Sequence, residues 1–238
     1  MSGAGDWWVL LHGTPLTPAV WDEVAAYLRR TGRVLCPDVT PAGVAPDTTD
    51  AQAGLAAGLA SARGGLPEQM HVVGHSFGGQ VALDLALLIP RRVQSLTLVC
   101  SRDTPFPSFA AAAAALRRGD PVDTDAALTR WFTASERRAN GAVVRYARDC
   151  LRDADRQSWA AALDAIARYD RAGSVAAISA PVTLIAAELD PVSTPAAMSA
   201  LASRLPRASL TVLPGAAHMS PFTDPAALAA LTLGGQRS

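Results

Sequence analysis

The sequence predicts an α/β fold: a parallel sheet of about six strands, flanked by helices and interrupted by a helical insertion. Three observations carry this expectation. Short continuous apolar runs alternate with helical patterns at both ends of the 238-residue chain, the texture of strands covered on both faces. One such run feeds the sharp turn Gly74-His75-Ser76-Phe77-Gly78, and an apolar helical pattern follows it. The middle of the chain, from 104 to 178, holds no convincing strand.

Each element has its own signal. Trp7–Leu11 reads as the first strand; only six residues precede it, so no antiparallel hairpin is expected ahead of it. Ala19–Arg30 places Val20, Trp21, Val24, Ala25 and Leu28 at helical spacing, which makes Trp21 a core residue. Val34–Cys36 is the second strand and Thr49–Ala62 the second helix. His71–Gly74 is the third strand, followed by a helix over Phe77–Ile89 that is apolar nearly all round and is closed by Pro90. Leu96–Cys100 is the fourth strand. The alternation resumes with Val182–Ala187, Thr194–Arg204, Leu210–Leu213 and Pro225–Leu233. Thr194-Pro195 and Asp224-Pro225 are helix starts, a capping side chain followed by a proline that has no N–H to leave unpaired. The insertion opens with Pro105-Phe106-Pro107 and continues in alanine- and arginine-rich amphipathic helices. The run Ala110–Ala115 reads as helix, since alanine is the best helix former. A core of 1–103 with 179–238 and a helical cap of 104–178 is therefore expected.

Composition narrows the partners. Half of the residues are hydrophobic, enough for a sizeable core, and the formal net charge is zero. With no basic stripe, neither nucleic acid nor an anionic membrane is an expected partner. No uninterrupted apolar run approaches the ~20 residues of a membrane span, and no signal-peptide pattern opens the chain. A cytoplasmic protein is expected, a monomer or homodimer acting on a small molecule. All 21 basic residues are arginine, which excludes a catalytic lysine. Cys36, Cys100 and Cys150 are odd in number and lack framework spacing, as reduced thiols would be. The four histidines are dispersed and no glycine-rich dinucleotide loop follows a strand, so no metal and no cofactor is expected.

The turn at Ser76 carries the chemistry. Side chains two residues either side would collide there, so Gly74 and Gly78 flank it, and Ser76 is expected to be strained. A serine hydroxyl is a poor nucleophile until a base takes its proton. His218, in Pro214-Gly215-Ala216-Ala217-His218 after an apolar run, is the expected base. Asp190, at the end of Val182–Asp190, is the expected orienting acid. Asp103 also follows a strand and is the alternative acid. His12 and His75 read as parts of their turns.

These motifs (His12-Gly13, Gly74-His75-Ser76-Phe77-Gly78-Gly79, Leu189-Asp190-Pro191-Val192-Ser193 and Gly215-Ala216-Ala217-His218) resemble those of the α/β-hydrolase superfamily over essentially the whole chain, including the order Ser, Asp, His. The resemblance implies an α/β-hydrolase fold and an oxyanion hole formed by the N–H groups of Thr14 and Phe77. A weaker resemblance, in Arg130-Trp131-Phe132-Thr133, the run from Trp159 to Ile166 and Tyr169-Asp170, is to the cap of 3-oxoadipate enol-lactonases. It implies cofactor-free hydrolysis of a small carboxylated lactone. The chain departs from that family where Ser158-Trp159 replaces a glycine-tyrosine pair, and after Cys36-Pro37-Asp38, where the Gly-His-Gly-x-Ser run is missing. The expected function is a serine hydrolase of a small ester or lactone, with Arg102, Arg130, Trp131 and Phe132 as candidate substrate-binding residues. A biosynthetic cyclase, thioesterase or carbon–carbon bond hydrolase using the same triad is one alternative. A ligand-binding receptor on a hydrolase scaffold is another.

Overall fold

A computed structural model of the chain describes residues 6–42 and 50–234. The apolar runs form six strands: β1 (Asp6–Leu11), β2 (Gly32–Leu35), β3 (Met70–His75), β4 (Val93–Val99), β5 (Val182–Ala187) and β6 (Ala208–Leu213). They pair in the order β2-β1-β3-β4-β5-β6, every pair parallel. The four central strands are buried almost throughout, while β2 and β6, at the edges of the described sheet, are half exposed. Residues before Asp6, where the expectation of no opening hairpin falls, lie outside the described residues, as does Thr49.

The strand order reverses direction between β1 and β3. In open α/β sheets the crevice beyond the strand ends at such a point is where ligands bind. Here it receives the turns at His12-Gly13-Thr14 and at Ser76.

Alternate strand residues feed two cores. Val9, Leu11, Val72, Leu96, Leu98 and Leu184 face α2 (Ala51–Ser61), α3 (Phe77–Leu88) and α9 (Pro195–Arg204). Trp8, Leu10, Val73, Val99 and Ile185 face α1 (Asp22–Leu28) and α10 (Pro225–Gly234), where Trp21 is fully buried as expected. The first predicted helix is broken in two: Pro18–Trp21 forms a 3-10 turn before α1. The two cap-plus-proline starts both form, with Thr194 Oγ1 accepting from the Ala197 N–H at 3.2 Å and Asp224 Oδ1 from the Ala227 N–H at 2.9 Å.

Between β4 and β5 the described chain is helical: α4 (Phe109–Arg118), α5 (Thr124–Trp131), α6 (Ala134–Ala139), α7 (Ala142–Asp153) and α8 (Arg156–Arg168). Local signals bound four of the five at one end or both. Gly119 and Asn140, both left-handed, end α4 and α6, and Asp123, Thr133 and Asp155 cap α5, α6 and α8. Helices α4 and α8 pack together, and Ala160, Ala162 and Leu163 join the core on the α3 side of the sheet. No described helix is long and apolar enough to cross a membrane.

Candidate active site

Ser76 sits where β3 ends and α3 begins, with φ 52° and ψ −118°. Such a conformation costs a non-glycine residue on the order of 1–3 kcal/mol and persists only where its surroundings hold it. The Ser76 N–H donates to the Val99 carbonyl at 3.0 Å, and the Ser76 carbonyl accepts from the Gly79 N–H at 2.9 Å and the Ser101 hydroxyl at 2.8 Å. The flanking glycines are required by close approach. A Cβ at Gly74 would strike Gly78 O, and one at Gly78 would strike Leu11 O.

His218 and Asp190 come from the ends of β6 and β5. His218 Nδ1 lies 2.6 Å from Asp190 Oδ2. The other carboxylate oxygen, Oδ1, accepts the N–H groups of Val192 at 2.8 Å and Ser193 at 3.1 Å. Burial acts to raise the Asp190 pKa, but the charge and hydrogen bond of His218 and the two backbone donors outweigh it, holding the carboxyl below its ordinary value. The alternative acid is engaged elsewhere. Asp103 is buried and forms a two-pronged ion pair with Arg204, at 2.9 and 2.7 Å.

The turn after β1 is shaped by His12. Its Nε2 lies 3.0 Å from both the Val39 N and Asp38 Oδ1, and its Nδ1 lies 2.9 Å from the Gly13 carbonyl oxygen. That carbonyl also accepts from the Leu16 N–H at 3.0 Å. The Thr14 N–H belongs to the same peptide and points the opposite way. Phe77 supplies the first N–H of α3, a group with no partner inside its own helix.

Thr14, Ser76 and His218 line one cavity of about 220 Å³, closed over by side chains of α4, α5 and α8, among them Phe109, Leu116, Arg130, Trp131 and Trp159. Two of the sequence candidates do not line it, although Arg102 borders a recess of about 10 Å³ beside Ser76 and Phe77. The Arg102 guanidinium donates to the carbonyls of Thr104 and Val192 at 2.9 and 2.7 Å and to the Thr104 hydroxyl at 3.0 Å, clamping two loops together. Phe132 is 1 % exposed and packed in the core on the α1 side of the sheet. The chain leaves α5 at Phe132, which is extended (φ −133°, ψ 149°), so Trp131 faces the cavity while Phe132 packs inward. Trp159, cited in the sequence only for its likeness to a lactonase cap, lines the cavity; its position on α8 relative to Ser76 carried no local signal.

The loop carrying His218 is held from the insertion. The Met219 N–H donates to the Trp131 carbonyl at 2.8 Å, and the Ser220 hydroxyl to Glu136 Oε2 at 2.9 Å. The same carboxylate closes a capping box with Thr133 at the start of α6. The spacing Thr133-x-x-Glu136 was readable as a helix start, but its second task was not.

Two further features were hidden by sequence distance. Cys100, with φ 47°, is buried beside Asp190 and His218, and ligand-type atoms of the three lie within 4.8 Å of one another. Burial and the Asp190 charge push its thiol pKa well above the usual value, so it stays protonated, and His218 Nδ1 is committed to Asp190. His75 is buried against His218 and Phe222, its ring centroid 4.8 and 5.0 Å from theirs, and its Nε2–H donates to the His218 carbonyl at 3.3 Å. Burial first, then the nearby His218, holds its pKa well below the ordinary value. Above about pH 6.5 folded and unfolded chains carry the same neutral ring; below it only the unfolded chain takes up the proton, so stability is lost as pH falls. His75→Asn should therefore show a shallower fall in Tm between pH 7.5 and 5.5 than the parent. Parallel curves by thermal unfolding would remove His75 from the balance.

Residues 8–231 match the family described as the Alpha/beta hydrolase family. The chain is 29 % identical to a pimeloyl-[acyl-carrier protein] methyl ester esterase of Nitrosomonas europaea over 93 % of this chain and 91 % of that one. It is 30 % identical to the protein of that name from Aromatoleum aromaticum over 90 % and 91 %. A 2-hydroxymuconate semialdehyde hydrolase of a Pseudomonas species is 35 % identical, over 44 % of this chain and 40 % of that protein. Among solved structures, the enol-lactonase from Burkholderia xenovorans superposes with a TM-score of 0.89 at 23 % identity, covering 99 % of this chain and 93 % of that one. At that identity the likeness is one of fold. A thermophilic esterase from Thermogutta terrifontis gives 0.85 at 27 % identity, over 99 % and 90 %.

Proposed function

The chain belongs to the alpha/beta hydrolase family, and on that premise we propose that it is a cofactor-independent serine hydrolase of small carboxylic esters or lactones. The observation that carries the reading is the convergence of three strand ends. A strained Ser76 and His218 open into one cavity, and a 2.6 Å bond ties His218 to a buried carboxylate. The esterases among its relatives support the class of bond.

In this reading His218 Nε2 takes the Ser76 proton as Oγ bonds to the substrate carbonyl carbon, whose oxygen becomes an oxyanion held by the N–H groups of Thr14 and Phe77. Asp190 fixes the imidazole tautomer and stabilises the imidazolium. Collapse breaks the bond to the leaving oxygen, which takes the proton from His218. Water then attacks the acyl-enzyme by the same route and restores Ser76. Residues 104–178 act as the cap that walls the cavity. A p-nitrophenyl acetate burst equal to the enzyme concentration, with stoichiometric labelling of Ser76 by a fluorophosphonate, tests the reading. Binding without turnover or labelling would favour a receptor.

Arg130 deepens this expectation toward an anionic substrate group. It lies in the last turn of α5, lines the cavity, and pairs with no carboxylate among the described residues. The lining carboxylates are engaged: Asp120 accepts from Arg118 at 2.7 Å, and Asp123 caps α5. Arg130→Gln should raise KM for a carboxylate-bearing ester about 5–10-fold relative to its neutral methyl ester, the scale of one charge-assisted contact near the surface. Equal changes for the two esters would remove Arg130 from recognition.

A further inference from the structure

A second cavity, of about 340 Å³, lies beside the first. Thr14 and Trp159 line both; of the two, Ser76 and His218 line only the first, and Phe77 and His12 only the second. Trp159 thus stands as a partition, and both proposed oxyanion donors border the second space.

A tetrahedral carbon on Ser76 carries three other substituents. The oxyanion turns toward Thr14 and Phe77. The leaving oxygen must face His218 to be protonated, and His218 borders the first cavity alone of these two. The remaining substituent, the acyl chain, is left with the second. The linings also differ in charge. Asp149, Asp153 and Asp155 border the second cavity, with Thr17 and Tyr146, and among the described residues no arginine lines it. Arg152 pairs with Asp149 and Asp153 at 2.8 Å from outside the lining, and Asp155 caps α8. Three carboxylates against one guanidinium leave this rim negative, although Asp149 and Asp153 are 57 % and 64 % exposed and solvent screens their charge.

We infer that the second cavity is the subsite for the acyl half of the substrate, that it takes a neutral or cationic acyl group in preference to an anionic one, and that Trp159 is its boundary. The inference rests on the serine-hydrolase reading above. It assigns any substrate carboxylate to the leaving-group side, where Arg130 stands.

The test holds the leaving group fixed. p-Nitrophenyl acetate, hexanoate, 6-ammoniohexanoate and the half-ester of adipate differ only in the acyl part. The parent should prefer 6-ammoniohexanoate to the adipate half-ester. Ala154→Trp and Thr40→Trp intrude on the cavity from two different segments. Each should lower the hexanoate-to-acetate ratio of kcat/KM about tenfold, the loss of roughly 1.4 kcal/mol of selective binding. Trp159→Ala should raise the same ratio. Using a ratio within each protein separates a lost subsite from a poorly folded variant. A ratio unchanged in both tryptophan variants, or a loss that follows the alcohol in a series of acetate esters, overturns the subsite while acetate turnover keeps the hydrolase reading. Absence of any turnover in the parent, with Ser76 unlabelled, overturns both.

Discussion

Ser76→Ala is expected to reduce kcat for any ester the protein hydrolyses by about 10⁵–10⁶-fold, leaving the residual rate that binding and an oxyanion hole supply without a nucleophile. Folding should be nearly untouched. The Ser76 backbone bonds to Val99, Gly79 and Ser101 do not involve its hydroxyl, and alanine meets the same cost at φ 52° as serine does. A Tm within about 4 °C of the parent is expected, the shift that 1 kcal/mol produces in a domain of this size. Steady-state hydrolysis and a melt on the same preparation check both halves. Turnover within tenfold of the parent would move the nucleophile away from Ser76.

The two aspartates should separate activity from stability. Asp190→Asn keeps the shape of the acid but offers His218 a neutral partner that no longer favours the productive tautomer; kcat should fall about 10⁴-fold. Asp103→Asn should leave kcat nearly unchanged and lower Tm, because it strips one partner from a half-buried ion pair with Arg204. Measuring both quantities for both variants gives a two-by-two result that only this assignment produces. A rate collapse in Asp103→Asn with an active Asp190→Asn would exchange their roles.

Much of this arrangement was legible because the proposed catalytic residues sit at strand ends, and central parallel strands announce themselves as unbroken apolar runs. The same rule fails at the margins. Strand β4 begins at Val93, three residues before the predicted start, because Gln94 and Ser95 interrupt the apolar run; yet Ser95 Oγ pairs with His71 Nδ1 at 2.8 Å inside the protein. Strand β6 starts at Ala208 because it lies at the edge of the described sheet and tolerates polar residues. For single side chains, position was readable and commitment was not. Arg102 does sit past the end of β4, where a site is expected, but the two carbonyls that hold it come from Thr104 and from Val192, 90 residues away. Cys100 and Trp159 reach the site only through the packing of distant segments, which a periodic pattern does not encode.

The grip of Glu136 and the Trp131 carbonyl on the His218 loop bears on how such proteins can be recombined. Helical insertions of this kind invite exchange between cores as a means of changing specificity. Here the insertion also holds the loop that carries His218, the proposed base. A chimera that transplanted 104–178 alone would bring a carboxylate and a carbonyl whose partners stayed behind, and would leave the recipient's own histidine loop without its support. By these bonds the piece to exchange would be discontinuous: the insertion together with residues 217–223, the segment that carries His218, Met219, Ser220 and Thr223.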